Sequence, residues 1–412
     1  MLKNIWYIHP YAGGPGVGRY VRPYALAKQW SERGIRTTVF TAANHHQLDG
    51  PRTPGPATVE GIEYEFITSA PYSGNNLSRL INMAEVTINL WRRGGHYKEQ
   101  YGQPDAIICS SPHPYIFLAS HALARRFGSM SVFEVRDLWP LSFVELLGTH
   151  PRHPLVLLTG RLERYAYKNA SAVISLLPLT KPYMMKHGLL GHKWHYIPNG
   201  IEAERQAAAL EPMAACLEKA RLLRMQGKTI IAYTGGLGRP NNVESLIRAL
   251  AIYPPKERHK LAAIIVGKGE MQPELDRLIH RFGLEDTAFI FDQVPKQTAL
   301  ALLDSVDIGF IALKSAPLFK FGISPNKMFD YMLAALPILS SINAGNDPVA
   351  ETQCGISVPS GQPSEIAAAL HRLVLATPTE RRAMGLRAQQ YVLQYHSYES
   401  LANRYLDALA TP

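Results

Sequence analysis

The sequence predicts an α/β protein of two Rossmann-like domains facing each other across a cleft. Three observations carry that prediction. Short β-rich apolar runs alternate with helical stretches along the chain, the pattern of parallel sheets covered on both faces. The length, 412 residues, exceeds one ordinary core and suits two domains of about 200 residues each. Glycine-rich turns follow the first strand of each half, at the strand ends where ligands bind in such folds.

The elements follow in order. Ile5–Ile8 reads as the first strand, followed by a glycine-rich turn, a helix near Val17–Arg33 and a strand at Thr37–Phe40. Ala106–Cys109, Ser131–Val135 and Ala172–Ser175 continue the series, with helical stretches between. Ile197-Pro198-Asn199-Gly200 combines a proline and a glycine, which suits a domain junction. The first domain is therefore placed at 1–198 and the second at 199–396. Strands of the second are expected at Thr229–Tyr233, Ala262–Val266, Ala288–Phe291, Ile308–Ile311 and Pro337–Ser340. Val243, Leu246, Ile247 and Leu250 have the spacing of one helix face. A last helix, 397–410, is free to pack back on the first domain.

Composition narrows the function classes. Hydrophobic residues are 46% and charged residues 18%, which fits a globular chain. No apolar run approaches the roughly 20 residues that span a bilayer, and the start, MLKNIWYIHP, lacks the apolar core of a signal peptide. Cys109, Cys216 and Cys354 have no paired spacing, which fits buried thiols in a reducing compartment; a cytoplasmic location is expected. The net charge of +10 is uneven: residues 1–198 hold 21 Lys and Arg against 12 Asp and Glu, and residues 199–412 hold 22 against 21. A basic first half suits nucleic acid, an acidic membrane or a phosphate-bearing substrate, or else serves solubility. A nucleic-acid reader needs a basic stripe with interleaved aromatics or a reading motif; the sequence has neither, so no nucleic-acid partner is expected.

The chemistry-bearing segments are turns and one helix start. His9-Pro10-Tyr11-Ala12-Gly13-Gly14-Pro15-Gly16-Val17-Gly18 lets the backbone approach a ligand, with a helix N-terminus beyond it for an anion. Its spacing is Gly-x-Gly-x-Gly, not the dinucleotide fingerprint, and a plain strand-to-helix turn is the competing reading. Thr234-Gly235-Gly236-Leu237-Gly238-Arg239 and Val266-Gly267-Lys268-Gly269-Glu270 repeat the device in the second half. Ser324-Pro325-Asn326-Lys327-Met328-Phe329-Asp330 reads as a helix start with Ser324 as cap and Pro325 in the first turn. Lys327 and Asp330 share a helix side: lysine suits a diphosphate and aspartate suits ribose hydroxyls, unless they form an ordinary surface pair.

These segments, in this order, resemble the retaining glycosyltransferases of the GT-B fold, in the large family four. The resemblance covers nearly the whole chain. Its strongest pieces are Phe321 to Met332 with Pro337-Ile338-Leu339, the Gly235-Gly236 turn, the Val266–Glu270 turn, and Asp137-Leu138-Trp139-Pro140. The last resembles a bacterial surface-polysaccharide branch that transfers N-acetylhexosamine or N-acetylfucosamine. The resemblance implies a nucleotide-sugar donor, UDP-linked by first expectation, and a glycan or lipid-diphosphate-linked acceptor. It implies donor-diphosphate contacts at Gly13, Gly14 and Gly16, and at Ser324, Asn326 and Lys327. It places Asp330 at the ribose, and Gly267 and the strand end near Val294 at the base. Gly235, Gly236 and Arg239 complete the expected donor site.

Two departures from the family pattern stand out. The first of its two glutamates falls on Gly322 and the second on Asp330. Its Arg–Lys pair after the second-half glycine turn reads Arg239-Pro240-Asn241-Asn242, with no matching lysine, which leaves Lys327 as the main cation.

Asp137 suits a base on the acceptor hydroxyl or a residue that orients the sugar, and also an ordinary turn cap. His113 and Glu145 are further candidates. The sequence has no Asp-x-Asp motif, and His192 and His195 lack a third ligand, so no metal or other cofactor is expected. Leu77, Leu80, Ile81, Ala84, Ile88 and Trp91 recur at helical spacing and run into Arg92-Arg93. This stripe suits either the core or the inner face of an anionic cytoplasmic membrane. A GT-B sugar-nucleotide epimerase is the alternative reading of the donor site.

Overall fold

Two separate sheets carry the apolar runs. A computed structural model of the chain describes residues 2–72, 74, 77–111, 113–145, 147–203 and 214–410. The chain divides into one unit of Met1–Gly200 with Tyr398–Pro412, and a second of Ile201–Ser397.

In the first unit, β1 (Asn4–Ile8), β2 (Arg36–Ala42), β3 (Gly55–Val59), β4 (Ile62–Ile67), β5 (Ala106–Ser111), β6 (Met130–Val135), β7 (Ala172–Ser175) and β8 (Trp194–Tyr196) form an eight-stranded sheet. Its order is β3-β4-β2-β1-β5-β6-β7-β8. Every pair is parallel except β3 with β4, a hairpin closed by Glu60 and Gly61, both at positive φ. The central strand β1 is buried along its whole length, as a strand covered on both faces must be.

The first helix runs Arg22–Ser31 and starts later than the expected Val17. The glycine loop explains the delay. Gly14 bridges Gly18, and Gly18 bridges Leu48, so the chain folds back on itself before Pro23 opens the helix. The helix Leu77–Tyr101 turns Asn82, Val86, Leu90, Tyr97 and Tyr101 inward. The expected apolar stripe faces solvent: Leu80 is 44%, Ile81 47%, Ile88 47% and Trp91 57% exposed. Ala84 is exposed as well, and the Leu77 side chain lies outside the described residues.

A buried ionic cluster ties this unit together. Glu134 of β6 is fully buried and pairs with Arg22 at 3.0 Å. It also accepts hydrogen bonds from the hydroxyls of Tyr7, Ser110 and Tyr405. Arg22 donates onward to the carbonyls of Ile197 and Pro198. Tyr405 belongs to the last helix, Tyr398–Ala410, whose Ala402 carbonyl accepts from the Trp30 indole at 3.3 Å.

In the second unit, β9 (Thr229–Thr234), β10 (Leu261–Val266), β11 (Ala288–Phe291), β12 (Ile308–Ala312), β13 (Ile338–Ser341) and β14 (Gly355–Val358) form a parallel sheet in the order β11-β10-β9-β12-β13-β14. Val243, Leu246, Ile247 and Leu250 are all buried, as their spacing demands of the helix Glu244–Ile252. Among the described residues no helix is long and apolar enough to cross a membrane.

Candidate functional site

In the second unit the candidate donor residues gather after β9 and β10 and at the start of the helix Asn326–Leu333. Gly235 follows β9 at φ +141°, a conformation that favours glycine. A Cβ on Gly267 would stand far inside contact distance of the Gly235 carbonyl oxygen, and a Cβ on Gly269 would meet the Leu237 backbone. These glycines are therefore needed for two turns to touch, whatever else they do. The Gly235 N–H donates to the Val266 carbonyl at 2.9 Å and the Leu237 N–H to the Lys268 carbonyl at 3.0 Å.

Lys327 reaches across this platform. Its ammonium donates to the Tyr233 hydroxyl and the Asn241 side-chain oxygen, each at 2.7 Å, and lies 4.4 Å from the Tyr233 ring centroid. A Cβ on Gly235 would stand 3.1 Å from the Lys327 nitrogen, so glycine there leaves room for the cation. Among the described residues no carboxylate lies in ion-pair range of Lys327, and burial lowers its pKa to about 8. The competing reading, a surface pair between Lys327 and Asp330, is not met: Asp330 faces Lys296 at 3.6 Å. The helix cap also differs from expectation. Pro325 occupies the cap position without a side-chain hydrogen bond, so Ser324 stands one residue before the cap. Asn326 and Gly236 are exposed at the rim. Arg239 projects into solvent while its N–H donates to Glu270 at 3.0 Å. Val294, after β11, is half-buried against the apolar cluster beneath the helix.

In the first unit the candidates lie at the C-terminal ends of β1, β5 and β6, which are neighbours in the sheet. Gly13 and Gly14 are buried, and their amides are used inside the loop. Gly13 N–H donates to the Tyr20 carbonyl at 2.8 Å and Gly14 N–H to the Gly18 carbonyl at 3.1 Å. Gly16 stands exposed at φ +63°, its carbonyl accepting from Arg52. Asp137 follows β6 and is exposed. His113 follows β5; burial first, and Arg79 second, hold its pKa down to about 3, so it is a neutral imidazole and a weak base. Pro112 beside it lies outside the described residues. Glu145 ends the short helix Leu141–Glu145 and is half-buried. His192 and His195 sit in the 3-10 turn Gly191–Lys193 and in β8, and among the described residues no three metal-ligating side chains cluster.

Comparison with known proteins follows the same two halves. A family model described as "Glycosyl transferase 4-like domain" matches residues 15–200, and one described as "Glycosyl transferases group 1" matches residues 228–375. Between them the two matches take in most of the chain. Both halves thus carry glycosyltransferase domains, and the protein is a glycosyltransferase. It is 23% identical to a D-inositol 3-phosphate glycosyltransferase of Nocardiopsis dassonvillei, over 92% of this chain and 86% of that protein. Sucrose-phosphate synthase of Thermosynechococcus elongatus has the same fold, with a TM-score of 0.72 at 18% identity over the whole of both chains. HepE of Anabaena, solved in complex with UDP, gives 0.68 at 16%, again over both whole chains. The fold of this glycosyltransferase is thus the two-domain α/β GT-B fold.

Sequence reasoning missed two residues of this glycosyltransferase that the geometry brings forward, Tyr233 and Asn241. They hold the Lys327 ammonium beside the Gly235 turn. The available signal was the segment Pro240-Asn241-Asn242, which offers an amide where a cation was sought.

Proposed function

We propose that this glycosyltransferase moves an N-acetylated hexose or deoxyhexose from a UDP-linked donor to a glycan or lipid-diphosphate-linked acceptor, with retention and without a metal, in surface-polysaccharide or glycolipid synthesis. The observation that carries the donor site is Lys327: a partly buried ammonium over a glycine platform, held by two neutral oxygens and facing no carboxylate among the described residues. Breaking the sugar–diphosphate bond leaves negative charge on the leaving oxygen, and a fixed cation in a desolvated site stabilises it as it forms. The Anabaena neighbour solved with UDP supports the choice of base, and the Nocardiopsis relative, named for a phosphate-bearing acceptor, supports an anionic acceptor. Asp137, exposed at the end of β6, orients the sugar or takes the acceptor proton. The solvent-facing stripe from Leu80 to Trp91, with Arg92 and Arg93, suits contact with the anionic inner face of the cytoplasmic membrane.

Thermal-shift titration with nucleotides in the presence of chelator tests this reading. A selective rise with UDP that Lys327→Ala removes is expected, because a ligand of the folded state stabilises it by mass action. No shift with any nucleotide would defeat the donor site. Conversion of the donor by the protein alone would indicate epimerisation. Asp137→Asn should keep UDP binding and lower turnover by about a hundredfold or more. Loss of activity in chelator that Mg or Mn restores would end the metal-free reading.

A further inference from the structure

Arg136 has no assigned role, yet its surroundings in the first unit are those of an anion-binding group. It follows β6, one residue before Asp137, at the sheet edge where α/β folds bind ligands. Its guanidinium lies 3.9 Å from the Tyr20 ring centroid, and Tyr20 in turn packs on His9 with ring centroids 4.4 Å apart. This stack fixes the plane of the guanidinium.

The hydrogen-bond capacity of Arg136 is largely unmet by protein. Its NH1 group lies 3.0 Å from His9 Nε2. His9 Nδ1 already accepts the Tyr11 N–H at 3.0 Å. A neutral imidazole has one lone pair and one N–H, so with Nδ1 accepting, Nε2 carries the hydrogen. His9 therefore cannot accept from both the Tyr11 N–H and Arg136. His9 stays neutral because burial, and Arg136 after it, hold its pKa well below the ordinary imidazole range. The Arg136 Nε is buried without a hydrogen-bond partner. Glu134, the carboxylate of β6, is paired with Arg22; the adjacent Asp137 feels the Arg136 charge, but among the described residues no carboxylate lies within ion-pair distance of Arg136. Arg136 itself is partly exposed, so a ligand can reach it.

We propose that Arg136 binds a phosphate oxyanion of a substrate, aimed by its stack on Tyr20 and left short of acceptors by His9. The assignment rests on the glycosyltransfer reading for the source of that phosphate, either the donor diphosphate or a diphosphate on the acceptor. Titration calorimetry of wild type, Arg136→Met and Arg136→Lys with UDP, inorganic pyrophosphate and farnesyl diphosphate distinguishes the two. Methionine keeps a side chain over Tyr20, and lysine keeps the charge without the planar fork; lysine carries the test if the methionine variant does not fold. Affinity should fall about tenfold to a hundredfold for UDP if the donor is the source, or for farnesyl diphosphate alone if the acceptor is. The melting temperature without ligand should change little, because methionine keeps a side chain packed over Tyr20 and the Nε donor that is lost has no protein acceptor. Equal affinity of variant and wild type for all three ligands overturns the proposal. So does a loss of affinity matched by a fall in the ligand-free melting temperature, which marks a structural role. The Lys327→Ala experiment tests the donor site independently: wild type that binds pyrophosphate through Arg136 but no nucleotide would defeat that site and leave this one standing.

Discussion

Lys327 is held by two neutral oxygens instead of a carboxylate, and that choice has a pH signature. With its pKa lowered to about 8, the ammonium is mostly charged at neutral pH and loses its proton as pH rises through that value. Phosphate binding favours the charged form, so affinity for UDP should be flat below neutral pH and fall by up to about tenfold per pH unit above pH 8. Isothermal titration between pH 6.5 and 9.5 checks this; Lys327→Arg, charged throughout, should abolish the slope. Gly267 makes a second residue-scale claim. With no room for a Cβ against the Gly235 carbonyl, Gly267→Ala should destabilise the second unit by at least about 3 kcal/mol, read as a lower denaturation midpoint. The glycines were legible in the sequence because only one residue type permits such approach. Tyr233, Asn241 and Arg136 were not, because what singles them out is which side chains meet, and spacing along the chain does not encode that.

At the scale of elements, periodicity located most strands and helices and left two kinds of detail open. The central strands β1, β5, β9 and β10 are mostly apolar runs and stood out, and β6 stood out despite its buried Glu134. The β3–β4 hairpin escaped notice: β3 alternates half-exposed residues at the sheet edge, and its turn, Glu60-Gly61, departs from the usual Asn-Gly signal. The helix expected near Val17 begins at Arg22 because the glycine loop makes its own backbone bonds, which no hydrophobic pattern reports. The Leu80–Trp91 stripe shows the limit of periodicity most sharply. Helical spacing reveals that one face is apolar, but the inward face of this helix is made by Val86, Leu90 and Tyr97, and the stripe points to water. If that stripe meets a membrane, wild type should float with phosphatidylglycerol vesicles at low salt. Trp91→Ala should weaken the association and Arg92→Glu with Arg93→Glu should remove it, with the melting temperature unchanged. No flotation of wild type would return the stripe to an ordinary solvated surface.

At the scale of the molecule, the chain leaves the first unit at Gly200 and re-enters it at Tyr398, and the two passages run side by side. Ile201 bridges Ser397, and Gly200 lies against Tyr398 and Leu401 closely enough that a side chain there would displace them. The buried cluster explains why the last helix belongs to the first unit. Glu134 gathers Arg22 and Tyr405, and Arg22 holds the Ile197 and Pro198 carbonyls, so exit and return depend on one ion pair. A buried charge is expensive unless its remaining lone pairs are satisfied. Tyr405→Phe removes one donor to that carboxylate and keeps the ring that packs on Trp30 at 5.5 Å. The hydrogen bond to a charged group should contribute about 1.5–3 kcal/mol, a fall of roughly 3–12 °C in the melting temperature of a unit this size. UDP-induced stabilisation of the second unit should persist, because none of its candidate donor residues touches the cluster. Calorimetry that resolves both units checks this. An unchanged first transition would mean that the apolar face of the last helix, Leu401, Ala402, Ala408 and Leu409, holds it in place without the ionic cluster.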